Sequence, residues 1–112
     1  MPVPLYQAKA EFFRTLGHPA RIRILELLSE RDHAVHELLD AIDIEPSNLS
    51  QQLAVLRRTS LVISRREGGE VIYSISSSEV RGLLLAARRI LTGLVHIDED
   101  TEPAAGSSGL PR

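Results

Sequence analysis

Cysteine is absent from the chain. Disulfides, thiolate metal sites and cysteine nucleophiles are therefore excluded. No run approaches the roughly twenty uninterrupted apolar residues of a membrane span, and the start, Met1-Pro2-Val3-Pro4, is not a charged and then apolar leader. A soluble, cytoplasmic protein with no membrane partner is expected. The chain also lacks a strong charge excess: its formal net charge is -2, too little basic character for a polyanion binder that works by bulk charge. Nucleophile elbows, phosphate loops and complete metal motifs are missing as well. A domain this small has few places for a ligand-sized pocket, so an enzyme is not expected.

What is present fits one domain. The 112 residues are 43% hydrophobic, enough for a single core. Folding a chain of this size buries only about two-thirds of its surface, so a second buried face between two copies is a natural source of stability. Charge is unevenly placed: residues 46–66 contain Arg57, Arg58, Arg65 and Arg66 and no acid.

Leu5, Ala8, Phe12, Phe13 and Leu16 recur at three- and four-residue spacing and predict a first amphipathic helix, ended by Gly17. His18-Pro19 restarts a helix, with His18 expected as a structural cap and Pro19 at the first helical position. Ile22, Leu25 and Leu28 supply its buried stripe, widened by Ile24 and Leu27. A short third helix carries Val35, Leu38, Leu39 and Ile42. After the turn Asp43-Ile44-Glu45, Pro46 opens a fourth that runs to about Arg58. In it Leu49, Leu53 and Leu56 are expected inward, with Ser47, Asn48, Ser50, Gln51 and Gln52 outward.

From Leu61 the pattern turns β-rich. Leu61 to Arg66 and Val71 to Ile75 are joined by Glu67-Gly68-Gly69-Glu70, and a Gly-Gly pair suits the primed turn of a tight hairpin. A last helix carries Val80, Leu83, Leu84, Ala87, Leu91, Leu94 and Val95. The expected fold is mainly α with a small β-hairpin, in the order α-α-α-α-β-β-α. Residues 1–97 form the domain, and 98–112 a disordered acidic tail.

A short helix, a turn and a second helix with a polar outer face, followed by a glycine-tipped hairpin, is the order of a winged helix-turn-helix. The run from Leu16 to Leu28, LGHPARIRILELL, resembles the opening signature of the ArsR/SmtB family of bacterial winged-helix regulators. Pro46 to Arg57, PSNLSQQLAVLR, is similar to that family's recognition helix, and Leu61 to Ile75 to its wing. The resemblance implies a homodimer through the first and last helices, with Leu5, Phe12, Leu84, Ala87, Leu91 and Leu94 as interface residues. It implies a double-stranded, pseudo-palindromic operator and repression relieved by a metal ion or another signal. Carried over by position, Ser47, Asn48, Ser50 and Gln51 face the bases and Arg65 and Arg66 are the wing contacts.

Where the family has thiolate ligands this chain has Ala34 and His36, and its last helix has few carboxylate or histidine ligands before His96. His33 and His36 could project from one helical face and hold two positions on nickel or zinc. His96 with Asp98, Glu99 and Asp100 is a second cluster, read first as a frayed end with solvated acids. Glu37, Asp40, Asp43 and Glu45 beside the reading helix, together with the acidic tail, motivate an alternative: an interaction module that acts through a protein co-regulator with weak DNA binding of its own.

Overall fold

The computed structural model describes residues 2–94. Val95, the His96 cluster and the tail at 98–112 lie outside the described residues. By Cα proximity the chain divides into two units at Arg81 and Gly82, inside the last helix.

Helix α1 (Leu5–Leu16) stops at Gly17, whose N–H donates to the Arg14 carbonyl at 3.1 Å. Helix α2 (Pro19–Glu30) starts two residues later, with proline where a helix needs no N–H. His18 Nδ1 accepts from the Ala20 N–H at 3.2 Å, so this imidazole is the cap its position suggested. Then come α3 (Val35–Ala41) and α4 (Pro46–Arg58), strands β2 (Val62–Glu67) and β3 (Glu70–Ile75), and α5 (Ser78–Leu94). No described helix is long and apolar enough to cross a membrane.

The expected order holds with one addition. His33–Ala34 form a short strand, β1, antiparallel to β3 with His33 opposite Tyr73 and Ala34 opposite Ile72. The sheet is thus three-stranded in the order β1-β3-β2, with β3 in the middle. The cause is backbone accounting: His33 and Ala34 are buried, and β3's free edge pairs their polar groups. The expected hairpin forms between β2 and β3 with Glu67 opposite Glu70, so both glutamates belong to the strands. Gly68 and Gly69 alone make the turn, at φ 58° and 85°, the pair of positive values a primed turn demands.

Helix α4 ends in a Schellman arrangement: the Leu61 N–H reaches the Leu56 carbonyl at 2.9 Å and the Ser60 N–H reaches Arg57 at 3.0 Å. Ser60 sits at φ 66°, where glycine is usual. This joint turns the chain directly into β2. The Ser76 hydroxyl donates to the Ser60 carbonyl at 2.6 Å and ties the joint to the end of β3.

The core centres on Ile24, Leu25, Leu38, Leu49, Leu56 and Val62. Helix α2 packs on α1, α4 and β3, and α4 on β2. Ile22, expected in the α2 stripe, is only half-buried. In α5, Val80 is buried, whereas Leu85, Ile90, Leu91 and Leu94 are exposed.

Candidate nucleic-acid interface

Leu38 and Ile42 anchor the end of α3 in the core. The Ile42 N–H closes that helix on the Leu38 carbonyl at 2.9 Å, and the Leu49 N–H opens α4 on the Glu45 carbonyl at 3.0 Å. Four residues, Ile42 to Glu45, thus separate the two helices, the spacing of a helix-turn-helix. Leu49, Leu53 and Leu56 press one face of α4 inward. Ser47, Ser50, Gln51, Ala54 and Arg58 are exposed, and at three- and four-residue steps they form one outward stripe.

Asn48 is half-buried at the margin of that stripe. Gln52, expected outward, is buried at 7% exposure. Its Oε1 accepts from Arg21 Nε at 2.8 Å, and its Nε2 donates to Asn48 Oδ1 at 2.8 Å. Arg21 NH1 in turn donates to the Thr15 carbonyl near the end of α1, at 3.0 Å. Three polar side chains thereby link α1 and α2 to the first turn of α4. Arg21 and Gln52 were missed as functional residues, yet Leu49, Gln52, Leu53 and Leu56 share the spacing of one buried helical face, a signal that places Gln52 inside.

On the wing the two arginines differ. Arg65 NH1 meets Asp32 Oδ2 at 2.9 Å and Ser74 Oγ at 3.2 Å, while its Nε meets Glu67 at 3.1 Å. The side chain reaches from outer strand β2 over β3 to the residue preceding β1. Hydrogen bonds from Arg65, then Ser74, hold the Asp32 carboxyl below its ordinary value. Glu67 first, and Asp32 second, push the Arg65 guanidinium above its ordinary value. Arg66 falls on the opposite face by strand alternation, is exposed, and forms no ion pair among the described residues.

The two histidines do not share the helix expected of them. His33 lies in β1, not on a helix, and is 5% exposed with Nδ1 2.8 Å from the Arg31 carbonyl oxygen. His36 is exposed in the first turn of α3. The strand-to-helix change at Val35 puts them outside any shared helical face. No group of three His, Asp or Glu side chains suited to a metal gathers among the described residues. Glu37 instead secures the start of α3. Its Oε1 accepts from the Ala34 N–H at 2.9 Å and pairs with Arg31 at 3.2 Å. Those two bonds, the backbone one first, hold its carboxyl below the ordinary value.

The proposed interface residues of the first and last helices are largely open. Leu5 is 70% and Leu94 74% exposed, Leu91 and Ala87 are exposed, and Phe12 and Leu84 are half-buried.

The family model described as bacterial regulatory protein, arsR family, matches residues 18–64. The HTH-type transcriptional regulator Rv0081 of Mycobacterium tuberculosis is 60% identical over 89 residues, 79% of this chain and 78% of that one. Its crystal structure superposes with a TM-score of 0.74 at 58% identity, covering 80% of this chain and 91% of the other. The HTH-type transcriptional repressor SmtB of the same organism is 32% identical over 99 residues, 88% of this chain and 69% of SmtB. A solution structure of the homodimeric winged helix-turn-helix DNA-binding domain Mb0332 from Mycobacterium bovis has a TM-score of 0.70 at 28% identity, covering 78% and 81% of the two chains.

Proposed function

This chain belongs to the arsR family of bacterial regulatory proteins and is a DNA-binding transcription regulator, not an enzyme; from that premise we propose that it acts as a homodimeric repressor reading a pseudo-palindromic operator. The observation that carries the reading is the outward stripe of α4. Ser47, Ser50 and Gln51 are exposed, with Asn48 at the margin, above a leucine face that fixes the helix on the core. A helix so held suits the major groove, where hydroxyl and amide side chains exchange hydrogen bonds with base edges. Arg66 supplies the wing's contact with phosphate or the minor groove. Arg65 is assigned to bracing the wing, because three of its five N–H donors serve Asp32, Glu67 and Ser74.

Dimer formation is supported by the apolar residues that α1 and α5 leave in water, Leu5, Tyr6 and Phe13 on one and Ile90, Leu91 and Leu94 on the other. The homodimeric Mb0332 domain gives the same direction. For a divalent metal such as nickel or zinc the described residues supply no fitting donor set, and no step of this reading passes through one.

The test is selection of bound sequences from a random DNA pool, followed by a salt series on the selected site. A two-fold symmetric site and a steep loss of affinity with salt are expected, since phosphate contacts release counterions. No selected sequence and a flat salt response would overturn the reading in favour of a module that works through a protein co-regulator.

A further inference from the structure

The Arg21–Gln52–Asn48 chain has a direction, and Arg21 sets it. A guanidinium has donors and no acceptor. The Gln52 atom 2.8 Å from Arg21 Nε must therefore be its carbonyl oxygen, which turns the Gln52 NH₂ toward Asn48. That NH₂ can only donate, so the Asn48 atom 2.8 Å away must be Oδ1. Each amide is oriented by the one before it, starting from a group that cannot reverse its role. Gln52 is buried, so water does not compete for these bonds. The Asn48 NH₂ is left over, and among the described residues it donates to no protein group.

We propose that Arg21 and Gln52 are positioning residues that fix Asn48 as a hydrogen-bond donor toward the DNA, so that Asn48 Nδ2 reads an acceptor on one base edge in each half-site. The inference rests on α4 being the reading helix and adds the sense in which one of its residues reads. Acceptors in the major groove are purine N7, guanine O6 and thymine O4, whereas cytosine offers only its N4 donor. Asn48 therefore excludes cytosine on the contacted strand. With its oxygen turned to Gln52 it does not make the two-point adenine grip, which needs that oxygen at N6. Gln51, exposed and not bound in the network, is free to make it.

The experiment is sequence selection by wild type, Asn48→Ala and Gln52→Glu, each first checked for native circular dichroism. Wild type is expected to disfavour cytosine at one symmetric position by about 5- to 100-fold, and Asn48→Ala to lose that discrimination at this position alone. In Gln52→Glu the introduced carboxylate accepts from Arg21 but cannot donate to Asn48, so the Asn48 amide turns over and presents its oxygen. Gln52→Glu should then favour a donor, cytosine N4 or adenine N6, at that same position. A merely structural Gln52 would change affinity and leave the preference alone.

Should Gln52→Glu fail to fold, a base analogue that lacks the major-groove acceptors, placed at that one symmetric position of the operator, serves with wild-type protein. Removing the acceptors there should weaken wild type and leave Asn48→Ala unaffected. Failure of wild type to select any sequence overturns both the reading helix and this inference. A selected site whose preferences all survive Asn48→Ala, or a Gln52→Glu variant with wild-type preference, overturns the inference alone.

Discussion

Replacing Arg66 and Arg65 by alanine, one at a time, separates the two roles on the wing. If Arg66 neutralises one phosphate in each half-site, its loss removes about 0.9 from the salt slope per contact, or about 1.8 for a dimer. Between roughly 50 and 200 mM salt, a fourfold change, wild type should then lose about tenfold more affinity than Arg66→Ala does. Arg65→Ala should behave otherwise. Its guanidinium is neutralised by Asp32 and Glu67, at 2.9 and 3.1 Å, before DNA arrives. The variant should bind more weakly at every salt concentration because the wing loses its strap to the start of β1, with a slope near that of wild type. Fluorescence anisotropy of a labelled operator at five salt concentrations measures both. A slope that falls equally for both variants would refute the division of labour, and so would an Arg66→Ala slope indistinguishable from wild type.

Gln51→Ala should cost on the order of 1–3 kcal/mol per half-site and relax base preference at one symmetric position, read by selection from a random pool. Leu84→Glu with Leu91→Glu should give a monomer, or an unfolded chain, with greatly weakened operator binding, and an intact wild-type monomer in sedimentation at micromolar concentration would count against the dimer. Ser60→Gly should stabilise by about 0.5–1 kcal/mol, since a left-handed residue costs about 1–2 kcal/mol and glycine returns part of the gain as chain entropy; chemical denaturation at fixed protein concentration checks it, and a less stable variant refutes it. Asp32 has a folded-state value below its ordinary 3.8, so the stability it contributes is complete above that value and lost as pH falls through the folded one. The stability difference between wild type and Asp32→Asn should therefore be present at pH 7 and shrink in strong acid, as followed by denaturation at several pH values.

Most of the architecture was legible because it rests on local rules. Pro19 and Pro46 mark helix starts, leucine spacing marks faces, and two adjacent glycines between β-rich runs mark the turn. What escaped depends on partners distant in sequence. A two-residue strand is too short to show alternation, and β1 exists because β3 offers it an edge. Once β1 is missed, His33 looks helical and the bridge between Asp32 and Arg65 cannot be anticipated. Gln51 and Gln52 are chemically identical neighbours, and only helical phase against Leu49 and Leu53 separates the exposed one from the buried one. Asn48 and Ser47, adjacent polar residues likewise, differ in helical phase, which turns Asn48 toward Gln52, and through Gln52 to Arg21 of another helix.

At the tip of the wing, a Cβ built on Gly68 or Gly69 meets no heavy atom within 4 Å. The restriction there is one of backbone conformation alone, with no steric ceiling. Asparagine, which tolerates left-handed backbone, should be accepted at position 68, and so should a longer loop with its own positive-φ residues. The register below is pinned by the pairing from Val62 with Ile75 to Glu67 with Glu70, and by β1 on the far edge of β3. Wing reach can therefore be lengthened as a separate adjustable part, a graft site where contact beyond the operator half-site is added without disturbing the helix that reads it.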